Sequence, residues 1–346
     1  RGAGRGAMAP SRAPSLAALA LKATGCEVHD VWAWNLDAEF AALLASAAAG
    51  LGGAGDPGDD RGVVLAFDVE FPGFLRQEPR RGHRAVRYQV LRENVDRLRP
   101  IQLGVAVAGH DGALHGVWSF NFQFDVDVDL HSAKSVAFLR AAGIDFPRHA
   151  AEGIEASALG QMLAGSELVG WHDRAPWWVT FAGFYDFGYL LRMLTLEKLP
   201  QSLTGFDVSR SMFFPRCHEL RDEFPHGSLD NLAQKHGIAR RGYAHTAGSD
   251  ALLTLELFLS LAGPKSEGVQ AQPQQLQPQS SSSTWWEGAG VLEDAWDTSA
   301  MWYHGAQQPQ PSLAVWSQAW EGDSWDAAWE FQAPLVPASA IPLLPR

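Results

Sequence analysis

Cysteine, long apolar runs and basic side chains are all scarce in this chain of 346 residues. Two cysteines, Cys26 and Cys217, are too few for a disulfide scaffold or a cysteine-rich zinc module. No apolar run reaches the roughly 18 residues that a membrane helix needs, so we expect a soluble protein without a membrane partner. So few cysteines also favour a reducing compartment, and we expect the protein in the cytoplasm and nucleus.

Positive charge is the third shortage. The chain has 27 Lys and Arg against 39 Asp and Glu, which gives a formal net charge of −12. This balance disfavours a polycationic surface that binds nucleic-acid phosphates through lysine and arginine. If a nucleic acid is the substrate, metal ions are the obvious groups to neutralise its phosphates.

The composition divides the chain into three parts. Residues 1–24 hold four basic and no acidic side chains, which predicts a disordered leader, with a transit peptide as the alternative. Residues 25–264 have globular patterning and are predicted to form one domain. Residues 265–346 are rich in Gln and Pro and have a net charge of −7, which predicts a disordered tail.

Eight of the fourteen tryptophans lie in this acidic tail, where no neighbouring sequence can bury them together. They indicate either short aromatic anchors for an unknown partner or an extension without function. The eight are Trp285, Trp286, Trp296, Trp302, Trp316, Trp320, Trp325 and Trp329.

Apolar patterning between the leader and the tail predicts an α/β domain with a mixed sheet. Continuous apolar runs predict strands at 63–71, 101–109, 116–124 and 177–181. A turn signal at 110–112 joins the second and third of these strands. Helical spacing predicts helices at 31–48, 132–142, 155–165, 185–195, 228–238 and 249–262.

Two acids interrupt the most apolar of the predicted strands. Asp68 and Glu70 are two residues apart, so their carboxylates project from the same face of a strand. Two negative charges on a buried strand are costly unless a positive group lies between them, and Mg²⁺ prefers carboxylate oxygens. The alternative is a pair of strand-end acids that bind backbone or arginine.

Two further acids and one histidine occupy comparable contexts. Asp186 stands among aromatic residues, and Asp250 lies at the start of an apolar helix, five residues after His245. Taken alone, each acid also suits a helix N-cap, and a lone loop histidine is commonly structural. Together, four carboxylates can hold two metal ions about 3.5–4 Å apart, and a neutral histidine can take a proton from an attacking water.

Several longer motifs occur in one fixed order along the chain. They are FDVEFPG, ENVDRLRPIQLGVAV, WSFNFQFD, GIDFPRHAAEGI, YDFGYLLRMLT and HTAGSDALLT. In this order they resemble the Pop/Caf-type poly(A) deadenylases, which are nuclease subunits associated with the CCR-NOT complex and belong to the DEDD exonuclease superfamily. The resemblance extends from about Val28 to Leu261.

The resemblance implies an RNase H-like DEDD exonuclease fold, with a mixed central sheet flanked by helices. It implies 3′-to-5′ shortening of mRNA poly(A) tails with release of 5′-AMP, and two Mg²⁺ or other divalent ions such as Mn²⁺ as cofactors. Scaffold and nuclease subunits of the CCR-NOT complex are the implied partners, beside poly(A) RNA. Carried over residue by residue, it identifies a catalytic set of Asp68, Glu70, Asp186, Asp250 and His245. By the physical argument above, the acids are the expected metal ligands, and His245 is the expected general base or water-orienting residue.

The sequence departs from the family beside the third acid. The family usually reads TFHS-G-YDFGYL, whereas Ala182 and Gly183 replace the His and Ser here. Because the four acids and His245 remain, we expect catalysis, and the alternative is a weakly active or inactive scaffold subunit of the deadenylase complex. A DEDD nuclease of short RNA or DNA is a third possibility.

Phe71 directly follows the strand that carries the first two acids. Its ring is a candidate substrate-binding face on which the terminal nucleotide stacks. The alternative is that Phe71 packs in the core.

Overall fold

One six-stranded sheet organises the described residues, which are 25, 28–51, 62–79 and 83–262 of this computed structural model. The strands are β1 (Val28–Val31), β2 (Val64–Glu70), β3 (Gln102–Ala108), β4 (Leu114–Asn121), β5 (Trp177–Thr180) and β6 (Cys217–Glu219). Their order is β1-β4-β3-β2-β5-β6, and β3 alone runs antiparallel to its neighbours. The predicted α/β fold with a mixed central sheet is confirmed.

Ten helices accompany the sheet in the part of the chain that the structure describes. They are α1 (Leu36–Gly50), α2 (Arg84–Val95), α3 (Ala133–Ala141), α4 (Phe146–Glu152), α5 (Ala156–Ala164), α6 (Phe184–Thr195), α7 (Leu203–Phe213), α8 (Leu220–Glu223), α9 (Leu229–Lys235) and α10 (Ala247–Ala262). Among these described helices, none combines the length and apolar character that crossing a membrane requires.

Strand β2 separates two cores and thereby sets the direction of its acids. Its odd-numbered residues join the larger core together with α6, whereas Val64 and Ala66 join a second core together with α10. Side chains alternate along a strand, so Asp68 and Glu70 continue the row of Val64 and Ala66 on the α10 side. The structure therefore has the two carboxylates on one face, as the spacing predicts.

The four predicted strands and five of the six predicted helices correspond to observed elements within a few residues. The predicted helix at 31–48 is wrong at its start, because the chain up to Val31 forms β1 and the helix begins at Leu36. Asn35 closes the turn between them, since its side chain accepts a hydrogen bond from the N–H of Trp32 at 2.7 Å. Apolar spacing alone does not separate a strand end from a following helix.

Patterning also misses β6 and four helices, namely α2, α4, α7 and α8. Two of these elements are too short to show a clear apolar period, since β6 has three residues and α8 has four. The leader at 1–24 and the tail at 265–346 lie outside the described residues, together with the eight tail tryptophans. The three-part division of the chain therefore stays a prediction.

Candidate metal centre

The carboxyl end of β2 lies where two strands of the sheet separate. Strands β2 and β5 pair only as far as Ala66 and Val179, so β2 continues beyond this point without its parallel neighbour. The N–H of Val69 donates instead to Oδ1 of Asp186 at 2.8 Å. Asp186 lies in the first turn of α6, and this bond holds it against the backbone between the two strand acids.

Helix α10 brings Asp250 to the same place across strand β3. Gly104 of β3 pairs with Asp68, and a Cβ at Gly104 would lie only 2.0 Å from the carbonyl oxygen of Ala247. The start of α10 can therefore rest on the sheet beside Asp68 only because residue 104 has no side chain. Asp250, in the first turn of α10, is buried at this contact.

Glu70, His245 and Asp250 lie close together in the centre. One ligand atom from each lies within 4.8 Å of the other two. The backbone N–H of His245 also donates to Oδ2 of Asp250 at 3.1 Å, which ties the histidine to the acid. Two carboxylates and one imidazole at this spacing, with Asp68 and Asp186 alongside, form a donor set that fits divalent cations such as Mg²⁺ and Mn²⁺.

The strand acids are electrostatically destabilised in the absence of a cation. Burial is the largest cause that raises the pKa of Asp68 well above its usual value, followed by the charges of Asp186, Asp250 and Glu70. Burial likewise raises the pKa of Glu70, with Asp250 and Asp186 as further causes. Carboxylates that repel one another in a partly desolvated site attract a multivalent cation strongly.

The two helix acids have shifted pKa values as well. Burial raises the pKa of Asp186 to about 7, although the hydrogen bond from Val69 acts in the opposite direction. Burial also raises the pKa of Asp250, and the positive charge of Arg240 works against that rise. All four predicted metal ligands therefore have pKa values above those of the free side chains.

Arg240 is a positive side chain inside this acidic cluster. Its guanidinium donates to Oδ1 of Asp250, to Oδ1 of Asp230 at 2.5 Å and to the hydroxyl of Ser249 at 3.1 Å. Sequence reasoning missed this residue, because adjacent arginines alone carry no signal: Arg80 and Arg81 form another such pair in the same domain.

His245 has the protonation state and the surroundings of a proton acceptor. Its backbone is left-handed, with φ 62°, and its ring lies 4.5 Å from the ring of Phe138. Burial lowers the pKa of the imidazole, with the charge of Asp250 acting against that shift. The ring is therefore neutral at neutral pH and able to accept a proton.

Phe71 lies in an aromatic cluster beside the acids. Its half-buried ring stacks on Tyr185 at 5.4 Å and 14°, and it also contacts Phe74 and Tyr189. The ring packs against the larger core, in agreement with the alternative that Phe71 has a structural role. Stacking of a nucleotide on Phe71 stays a prediction.

Glu219 of β6 is a second residue that sequence reasoning missed. It accepts hydrogen bonds from the N–H groups of Ala182 and Gly183, the two positions where the sequence departs from the expected motif. No local pattern signals this role, because the partners are more than thirty residues away along the chain.

Comparison with known proteins identifies relatives that cover about two thirds of this chain. A family model described as CAF1 family ribonuclease matches residues 64–158. Probable CCR4-associated factor 1 homolog 7 of Arabidopsis thaliana is 34% identical over 259 residues, covering 70% of this chain and 89% of the relative. Poly(A) ribonuclease pop2 of Schizosaccharomyces pombe is 32% identical over 244 residues, covering 68% of this chain and 69% of the relative.

Solved structures show the same similarity. The structure of S. pombe Pop2p with Mg²⁺ and Mn²⁺ bound matches with a TM-score of 0.62 at 30% identity, covering 70% of this chain and 95% of that chain. A chain in the structure of the yeast NOT1 MIF4G domain co-crystallized with CAF1 matches with a TM-score of 0.53 at 28% identity, covering 68% of this chain and 88% of that chain. Together with the strand order, these matches confirm the predicted RNase H-like DEDD exonuclease fold.

Proposed function

Because the chain belongs to the CAF1 family of ribonucleases, we propose that it is a poly(A)-specific 3′-to-5′ exoribonuclease that promotes mRNA decay. In this proposal it shortens mRNA poly(A) tails and releases 5′-AMP. The observation that carries the proposal is the convergence of four acids from three elements, together with His245, at the carboxyl end of β2. The S. pombe relative, which is named a poly(A) ribonuclease, supports the choice of substrate.

The four acids are the proposed ligands of two divalent cations, Mg²⁺ or Mn²⁺. The S. pombe Pop2p structure, which has both ions bound, supports this choice. When bound, such cations neutralise phosphate charge and lower the pKa of the attacking water. One carboxylate oxygen of Glu70 lies within 4.8 Å of one of Asp250, close enough for both to bind the same cation. The hydrogen bond from Val69 holds Asp186 beside them.

His245 is the proposed general base. Its lowered pKa leaves the imidazole free to take a proton from the water that attacks the terminal phosphodiester. Attack breaks the bond between phosphorus and the 3′ oxygen, which leaves with a proton, and the last nucleotide departs as 5′-AMP. The backbone bond from His245 to Asp250 keeps the base beside the metal ligands during this step.

The proposed partners are poly(A) RNA and the scaffold and nuclease subunits of the CCR4-NOT complex. The yeast structure that contains the NOT1 MIF4G domain and CAF1 supports assembly with a scaffold subunit. A partner for the tryptophan-rich tail and a location in cytoplasm and nucleus are predictions from the sequence alone.

Incubation of the full chain with a 5′-labelled RNA and Mg²⁺ tests the proposal. One substrate has a 3′ poly(A) tail, and a second has the same body with a poly(U) tail. We expect stepwise shortening of the poly(A) tail, release of 5′-AMP and little attack on poly(U). Asp68→Asn should abolish shortening, whereas Glu155→Gln, an exposed acid without a side-chain cap bond, should not.

The other outcomes separate the remaining interpretations. Equal digestion of both tails would contradict poly(A) specificity and leave a DEDD nuclease of broader substrate range. Absence of shortening with every RNA would contradict the enzyme and leave the scaffold alternative. The relatives and the intact set of acids do not favour that alternative.

A further inference from the structure

The turn that precedes α6 lacks a capping side chain of its own. Gly183 occupies the N-cap position, where Ser, Thr, Asp or Asn commonly accepts a hydrogen bond from the first turn. Ala182, immediately before it, has a left-handed backbone with φ 62°, which is unfavourable for a residue with a Cβ. This turn therefore needs a partner from elsewhere in the fold.

Glu219 is that partner. The N–H of Ala182 donates to Oε1 and the N–H of Gly183 donates to Oε2, each at 2.8 Å. Strand pairing explains the fit, because Thr180 of β5 lies opposite Glu219 of β6, two residues before the turn. The N–H of Arg221, in the first turn of α8, also donates to Oε1 at 2.9 Å, so Glu219 caps its own following helix as well.

The same turn determines the position of a predicted metal ligand. Asp186 follows Gly183 by three residues and lies in the first turn of α6. The side-chain carboxylate of Asp186 accepts a hydrogen bond from the N–H of Val69 in β2. A continuous path of hydrogen bonds and helix backbone therefore runs from Glu219 through the turn and Asp186 to the strand that carries Asp68 and Glu70.

We propose that Glu219 is a positioning residue for Asp186, acting through the backbone of residues 182 and 183. Both of its carboxylate oxygens are engaged by backbone N–H groups, so it acts behind the metal ligands and not as one of them. This contact fixes the turn immediately before α6, whose own residues offer no capping side chain. The proposal concerns the arrangement of the metal centre and does not depend on which RNA is cleaved.

Two substitutions of Glu219 test whether its paired hydrogen bonds to the turn, and not only its negative charge, position Asp186. Glu219→Gln replaces one acceptor by an NH₂ group that faces a backbone donor. Glu219→Asp keeps the charge but is one methylene shorter and cannot reach both N–H groups. We expect both variants to bind Mn²⁺ about tenfold more weakly than the parent, measured by calorimetry or EPR on the full chain, with unchanged circular dichroism. Glu155→Gln is the matched control and should bind Mn²⁺ like the parent.

A rescue experiment tests the path through the turn. Glycine adopts a left-handed backbone at no steric cost, so Ala182→Gly should restore much of the Mn²⁺ affinity lost in Glu219→Asp. Parental affinity in Glu219→Asp, or a loss that Ala182→Gly does not restore, would overturn the proposal. If Asp186→Asn left Mn²⁺ binding unchanged, the metal centre itself would be contradicted, which is a separate result.

Discussion

Helices α6 and α10 each present an acid to β2 from their first turn, yet groups of opposite charge support them. Behind Asp186 lies the carboxylate of Glu219, which binds the turn before α6. Asp250 is bound directly by the guanidinium of Arg240. Thus one acid has an anion as its neighbour and the other has a cation, although both are predicted ligands of the same metal centre.

The metal centre thus has two halves, one around Asp186 and one around Asp250, and they are stabilised in different ways. The Asp250 half has an internal counter-charge and is partly neutralised by the protein itself. The Asp186 half is held by hydrogen bonds to backbone, while the charge of Glu219 adds to the repulsion that Asp186 experiences. A bound cation should therefore stabilise the Asp186 half more than the Asp250 half.

The largest expected effect comes from Gly104→Ala, which disturbs the Asp250 half alone. The new Cβ would meet the backbone of Ala247 at 2.0 Å, and a backbone clash cannot be relieved by a rotamer change. We expect a loss of about 3 kcal/mol in the free energy of unfolding, measured with urea, together with weaker Mn²⁺ binding. Gly165→Ala, where the nearest atom is 3.5 Å away, is the control and should stay near parental stability.

Removing the counter-charge of Asp250 should give the next largest effect. Arg240→Gln leaves Asp250 without its cation in a mostly buried pair, whose side chains are only 15% and 11% exposed. We expect a destabilisation of about 2 to 3 kcal/mol without metal, smaller in saturating Mn²⁺ because the metal replaces the lost charge. Arg76→Gln breaks an exposed pair with Glu93 and should cost less than about 1 kcal/mol. An equal loss of stability in Arg240→Gln with and without Mn²⁺ would contradict the role of Arg240 as the counter-charge of Asp250.

The raised carboxyl pKa values predict how stability depends on pH. The folded, metal-free chain retains protons on these acids that the unfolded chain releases near pH 4, so stability should fall as the pH rises. For Asp186, with a folded pKa of about 7, most of that loss falls between pH 4 and 7. Histidines with lowered pKa values, such as His149 at about 4, act in the opposite direction below pH 6.5, so the test compares two chains. In thermal unfolding from pH 5 to 8, the parent should lose stability relative to Asp186→Asn as the pH rises, and Mg²⁺ should remove that difference. The same pH dependence in both chains would remove Asp186 as its cause.

The smallest expected effect concerns the turn on the Asp186 half. Ala182→Gly relieves a left-handed alanine, and the added freedom of glycine in the unfolded chain offsets part of that gain. We expect a net stabilisation of about 0.5 kcal/mol in urea unfolding. Ala41→Gly, in the exposed face of α1, should instead destabilise by about 0.5 to 1 kcal/mol. Equal signs for the two changes would show that the conformation of Ala182 carries no strain.

Sequence reasoning succeeds where the signal is local. Alternation along β2 predicts that Asp68 and Glu70 share a face, and the structure has them in the row of Val64 and Ala66. The turn signal at 110–112 likewise predicts the antiparallel pairing of β3 with β4. Both features can be predicted from residues that are close together in the sequence.

Contacts between distant segments are what the sequence does not reveal. Glu219 lies on a three-residue strand whose role depends on pairing with β5, and Arg240 reaches Asp250 from ten residues earlier in the chain. Gly104 shows the same limit, since its lack of a side chain matters because another backbone crosses it. The motif resemblance implied the site residues, but not the groups that hold them.

The distribution of the four acids along the chain also has a consequence for biosynthesis. Asp68 and Glu70 leave the ribosome early, whereas Asp250 belongs to the last described helix, which must dock across Gly104 before the centre is complete. Folding during synthesis proceeds from the N-terminus. A nascent chain therefore acquires its full set of acidic ligands only when nearly the whole domain has been translated, and fragments truncated before α10 lack a complete centre.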